Sequence, residues 1–111
     1  MINNITYYSI NGRGGAITPW GRAQHKEQFG PGIALYSTAS HGGFKVCKKQ
    51  NAMIPDYMRI NDGWYEEDCD WAIVVAVFPE RFSEKDRIPA KECFKRWHHP
   101  PLNLHYGFVS Q

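Results

Sequence analysis

No run of hydrophobic residues in this chain approaches the roughly 20 that a membrane-spanning helix needs, so a protein with no place in a membrane is expected. Cysteine is scarce and poorly spaced for covalent or metal work. Cys47, Cys69 and Cys93 are an odd number at wide intervals, which argues against a disulfide framework and against a CxxC knuckle. They are read as buried thiols that pack as small hydrophobes. No basic segment leads into an apolar stretch within MINNITYYSIN, so no secretory signal is expected and the cytoplasm is the expected compartment. Internal repeats, low-complexity tracts and linkers are lacking too.

What remains is a globular composition. The 111 residues are 42% hydrophobic and 14% aromatic, too apolar for a disordered chain and of the size of one ordinary domain. Residues 1–111 are therefore read as a single domain. The net charge of +2 hides an uneven distribution. Residues 1–50 carry Arg13, Arg22, Lys26, Lys45, Lys48 and Lys49 against Glu27 alone, whereas six acids fall between Asp56 and Asp70 with only Arg59 among them. A basic half and an acidic knot bear on partners and steering rather than on fold.

The pattern of residues along the chain predicts an α+β fold: an antiparallel β-meander with two helices packed on one face. NITYYSI, residues 4–10, is rich in β-branched and aromatic types and ends at NGRGG, which predicts a strand and a turn. Ala23, His25, Glu27 and Phe29 alternate up to GPG at 30–32, and IALYST follows, which predicts a hairpin. After SHGG, Phe44 and Val46 alternate with Lys45 as a third strand. Further on, Trp71, Val74, Val75 and Phe78 fit the i, i+3, i+4, i+7 period and predict a helix over 66–78, with EEDCD where a helix N-terminus favours negative charge. AIVVAV, apolar on both faces, also fits a buried strand. A second helix is predicted with Pro89 in its first turn, Ala90, Cys93, Phe94 and Trp97 on one stripe, and HHPP at its end. LNLHYGFVS could add an edge strand.

Two stretches hold the candidate functional residues. YSTASHGGF, residues 36–44, gathers hydroxyls, His41 and the Gly42–Gly43 pair at a bend, more polar groups than a plain hairpin needs. GWYEEDCDW, residues 63–71, places Glu66, Glu67, Asp68 and Asp70 between two tryptophans. Four acids in five positions repel one another, so they serve either a helix N-terminus or a cationic partner. The expected surface comprises Tyr36, Ser40, His41, Phe44, Trp64, Tyr65, Glu66, Glu67, Asp68 and Asp70, provided that the two stretches lie side by side. No metal site is expected: the EF-hand spacing is absent, and His98, His99 and His105 lack zinc-ligand spacing. No cofactor is implied. No GxSxG elbow accompanies His41, so a hydrolase is weakly signalled.

The blocks TASHGGF at 38–44 and GWYEEDCDWA at 63–72, within residues 18–82, resemble an uncharacterised domain family associated with bacteriophages, plasmids and the polyvalent proteins of mobile elements. That resemblance implies no activity. It implies a context, the host bacterial cytoplasm, in which small proteins disable host defences such as restriction or CRISPR complexes. The order of His25 or His41, YSTAS and EED at 66–68 is also similar to the ADP-ribosyltransferase pattern, with Asp68 where that family has glutamate and a chain shorter than that fold.

Three functions follow as expectations. The first is direct inhibition, without catalysis, of a host protein or nucleoprotein complex that presents a basic surface. The second is a small enzyme, ADP-ribosyltransferase-like or hydrolytic, that uses His41, Glu66 and Asp68. The third is a nucleic-acid-binding module that uses Lys45, Lys48, Lys49 and the second helix.

Overall fold

Alternation of apolar and polar residues builds most of the sheet. A computed structural model describes residues 7–9 and 17–97 of the chain. Its strands are β1 (Tyr7–Ser9), β2 (Ile17–Thr18), β3 (Gly21–Arg22), β4 (His25–Gln28), β5 (Ile33–Ser37), β6 (Gly42–Val46) and β7 (Trp64–Glu66). The order β1-β4-β5-β6-β7 forms one antiparallel sheet, and β2 and β3 form a separate small hairpin. The fold is α+β, as expected. The β4–β5 turn at 30–32 relies on Gly30 and Gly32, both at positive φ (76° and 78°), where a side chain would be strained. Arg81 fastens that turn from far along the chain, donating from Nη1 to the carbonyls of Phe29 (2.9 Å) and Pro31 (2.6 Å).

The inner face of the sheet carries Phe29, Ile33, Leu35, Phe44, Val46 and Tyr65, all buried. Against it lies α2 (Trp71–Val77), and α3 (Glu84–Trp97) packs on α2. Residues 71–76 are all buried. A helix covered on every side is apolar all round, which is why AIVVAV fitted a strand as well as a helix. Phe29, Phe44 and Phe82 meet at ring-centroid distances of 5.0–5.6 Å and close the core at one end. Among the described residues no helix is long and apolar enough to cross a membrane.

Two expected boundaries are corrected. The helix predicted over 66–78 begins only at Trp71, because Trp64–Glu66 pairs with β6 as a strand after Gly63 turns the chain at φ 78°. The second helix starts at Glu84, so Pro89 lies inside it rather than in its first turn. Ser83 and Asp86 supply the start signal, an S-x-x-D spacing in which the Ser83 hydroxyl donates to Asp86 (3.2 Å). Pro89 forfeits one helical hydrogen bond at an exposed position. Asp86 is buried, and desolvation holds its carboxyl above the usual range, partly offset by the Ser83 hydroxyl.

Between β6 and β7 runs an excursion that the sequence pattern did not reveal, opened by the short helix α1 (Lys48–Asn51). A buried polar knot ties it to the sheet. The Tyr65 hydroxyl donates to Asn51 Oδ1 (2.5 Å) and accepts from the Ile60 amide (3.0 Å), while Asn51 Nδ2 donates to the Ile60 carbonyl (2.9 Å). Arg59 closes the end of α1, donating to the Asn51 and Ala52 carbonyls and pairing with Asp56 at 2.7 Å. Cys47 precedes α1, and its thiol donates to Gln50 Oε1 (2.6 Å); it, Cys69 and Cys93 are half-buried rather than buried as expected. The expected edge strand after residue 101, the HHPP stop, and His98, His99 and His105 lie outside the described residues.

Candidate functional site

The bend and the acidic segment are neighbours. Strand β6 leads out of the bend and pairs directly with β7, with Gly43 opposite Glu66, Phe44 opposite Tyr65 and Lys45 opposite Trp64, and the Glu67 amide donates to the Gly42 carbonyl (3.0 Å). The bend itself is closed by Thr38: its hydroxyl donates to the His41 carbonyl (2.8 Å) and accepts from the His41 amide (3.1 Å). That turn chemistry accounts for the threonine and leaves Ser40 and His41 exposed at its tip. Gly42 is required by contact, since a Cβ there would lie 2.8 Å from the Tyr36 carbonyl oxygen.

Strand alternation then sorts the candidate residues. Phe44 and Tyr65 point inward and are 0% exposed, so neither belongs to a surface; their period-2 position outweighs their place in the motif. Tyr36, Trp64 and Glu66 point outward and are half-buried, Glu67 and Asp68 are exposed, and Asp70 is half-buried at the start of α2. Two groups result: an acidic edge of Glu66, Glu67, Asp68 and Asp70 beside His41, and an outer sheet face carrying Tyr36 and Trp64. Glu66 belongs to both.

The acids do not cap α2. Asp70 occupies the N-cap position but makes no side-chain capping bond, and the first turn of the helix holds no acidic residue. Among the described residues, no Lys or Arg forms an ion pair with Glu66, Glu67, Asp68 or Asp70. They interact with one another instead. Loss of solvent, followed by the charge of Asp68 and a hydrogen bond with it, raises the Glu66 carboxyl above the usual glutamate range; Asp70 adds to this and His41 opposes it. Of the alternative catalytic residues, Glu66 and Asp68 thus interact directly at the surface, and His41 acts on Glu66 through its charge alone. Behind the acids a groove of about 320 Å³ is lined by Glu67, Asp68, Trp71 and Pro89. Cys69 and Cys93 lie close by, and burial raises both thiols above the usual range. Among the described residues no three His, Cys, Asp or Glu side chains are grouped to hold a metal ion.

The outer face contains a residue that sequence reasoning missed. In the β2–β3 hairpin, Thr18 Oγ1 donates to the Gly21 carbonyl (2.7 Å) and accepts from the Trp20 amide (3.1 Å). The turn folds Trp20 over the sheet, edge-on to Trp64 with centroids 5.6 Å apart and an interplanar angle of 85°. Tyr36 also lies 5.6 Å from Trp64, tilted by 59°. Lys26 Nζ stands 5.7 Å from the Tyr36 ring centroid and Lys45 Nζ 5.0 Å from that of Trp64. The available signal was TPWG, a tight turn that presents an aromatic residue.

The family model for a domain of unknown function, DUF7007, matches residues 13–104. That is most of the chain and extends beyond the span 18–82 on which the resemblance was drawn, so the chain belongs to this family. No curated protein and no solved structure matches.

Proposed function

We propose that this member of the DUF7007 family is a binding protein that captures a partner with a basic surface through Glu66, Glu67, Asp68 and Asp70, with Ser40 and His41 at the rim. The observation that carries the reading is the state of the acids. They neither cap α2 nor pair with cations of their own chain among the described residues, and the charges of Asp68 and Asp70 add to loss of solvent in raising the Glu66 carboxyl. A cation from outside relieves the repulsion among these charges, and the local negative field speeds encounter with a basic surface. The resemblance to mobile-element proteins extends the reading to a target: a host defence nucleoprotein of the restriction or CRISPR class, inhibited in the bacterial cytoplasm.

The test is immobilised capture of purified restriction and CRISPR effector complexes by the native chain and by a variant carrying Glu67→Lys, Asp68→Lys and Asp70→Lys. The native chain should bind one of them. The variant should lose binding while its melting temperature stays close to that of the native chain. Undiminished binding by the variant would overturn the reading.

A second reading draws on the His41–Glu66–Asp68 grouping, because a raised carboxyl beside a histidine is a pattern of acid–base sites. It requires turnover: a trace of the protein would change the intact mass of a target, and Glu66→Gln would stop this without loss of binding.

A further inference from the structure

Cross-strand pairing arranges the outer face of the sheet in two rows. Lys26, Tyr36, Gly43 and Glu66 form one, and Gln28, Ala34, Lys45 and Trp64 the other. Across these rows runs a diagonal of rings and cations, Lys26–Tyr36–Trp64–Lys45. Lys45 at its end also lines a cleft of about 310 Å³, together with Lys48, Asn61, Asp62 and Gly63 among others.

Three properties of this track define a ligand. First, its cations are available: among the described residues no carboxylate forms an ion pair with Lys26, Lys45 or Lys48. Lys45 Nζ donates one bond to the neutral Asp62 carbonyl (2.6 Å), which leaves two donors and the full charge. Second, Tyr36 and Trp64 are half-buried and tilted rather than stacked, and Trp20 meets Trp64 edge-on, so part of each ring stays exposed; the lysine ammoniums that stand over the two rings would have to turn toward the phosphates as bases settle. Third, the outward positions of β4, β5 and β6 along the two rows hold no acid, and carboxylates border the track only at Glu66 on β7 and at Asp62 in the cleft, so a polyanion is guided along the lysines between them. A chain of negative charges carrying flat π systems matches all three.

We propose that the outer face binds single-stranded nucleic acid, with bases against Tyr36 and Trp64 and phosphates on Lys26, Lys45 and Lys48. Base–aromatic stacking of this kind tolerates any sequence, and the phosphate contacts make binding depend steeply on salt. The surface differs from the acidic edge, and either can fail without the other.

The test is fluorescence anisotropy of a labelled oligothymidine of about twelve nucleotides, a length within the range one small sheet surface covers, with the full chain at roughly 50 and 200 mM salt. Three phosphate contacts on a single strand correspond to about a 20-fold loss of affinity between those salts. An abasic strand of equal length should bind at least about 5-fold more weakly, since the stacking is gone. Lys45→Gln with Lys48→Gln should flatten the salt dependence to about a third of its slope. Trp64→Leu should weaken oligothymidine binding several-fold, about as far as one lost stacking contact allows, and Trp64→Leu with Tyr36→Leu should bring it down to the level of the abasic strand; should the Trp64 variants fail to fold, Tyr36→Leu and the lysine pair carry the same test. Equal binding of abasic and thymidine strands, tighter binding of a duplex, displacement by polyglutamate as effective per charge as by the oligonucleotide, or no binding at the lower salt would each overturn the proposal.

Discussion

Trp20 lies directly over Gly43. A Cβ at position 43 would stand 2.5 Å from Trp20 Cη2 and 2.5 Å from the Tyr65 carbonyl oxygen, distances that real Cβ atoms do not adopt. The indole could swing away, but the carbonyl belongs to the β6–β7 ladder and cannot. Gly43→Ala should therefore destabilise the fold by about 1–3 kcal/mol, as overpacking does, and should lift Trp20 off the sheet. Urea denaturation gives the first quantity. Tryptophan emission, compared in a Trp20→Phe background, gives the second: the red shift caused by Gly43→Ala should vanish there.

The Tyr65 hydroxyl is the hinge of the knot that binds the α1 excursion to β7. Replacing it by hydrogen in Tyr65→Phe leaves Asn51 Oδ1 and the Ile60 amide without their partner in a buried place. An unsatisfied buried group costs about 1–3 kcal/mol, so that much loss of stability is expected in urea. Amide hydrogen exchange at Ile60 should quicken with it. Tyr65 stands in the middle of the acidic motif, yet this substitution should leave partner capture unchanged in the folded fraction.

Arg81 reaches back some fifty residues in sequence to hold the GPG turn. Arg81→Gln keeps much of the side-chain bulk and removes the charge-assisted donation to two carbonyls, so about 1–2 kcal/mol should be lost. The loss should appear as faster exchange at the β4–β5 turn while α3 keeps its protection. Uniform loss of protection across the sheet and α3 would assign Arg81 to the core rather than to the turn.

The strands were legible wherever one face meets the core: Ala23, Glu27 and Phe29 alternate as the buried positions around β4, as do Phe44 and Val46 in β6. β7 was not, because three residues are too short to display a period and the acids beside them suggested a helix start. The start of α3 was hidden by Pro89, which draws attention as a first-turn residue, whereas Ser83 and Asp86 carry the signal. At the site, the adjacency of bend and acids was a condition of the reading rather than a result of it, since it rests on the β6–β7 pairing, and burial could not be read at all. Phe44 and Tyr65 belong to the same motifs as His41 and Glu66, and one step of strand alternation sends them to the opposite face. Trp20 was invisible as a site residue because its partners, Gly43 and Trp64, come from two later strands.

Glu66 offers a direct reading of the acidic edge. Its carboxyl is held above the usual glutamate range by loss of solvent, then by Asp68 and Asp70, against a smaller pull from His41. A carboxyl whose folded pKa exceeds its unfolded value binds its proton more tightly in the folded chain. Its contribution to stability is present below the unfolded pKa and is lost as pH rises through the folded one. The isolated protein should thus lose a small increment of stability through that window, and a bound cationic partner should remove the loss by favouring the ionised form. Carboxyl-carbon NMR titration checks the order of causes: Asp68→Asn should bring the Glu66 midpoint down, Asp70→Asn should do so less, and His41→Ala should move it further up. If the Glu66 midpoint ignores Asp68→Asn, the acids are not coupled, and the mutual repulsion on which the binding reading rests is absent.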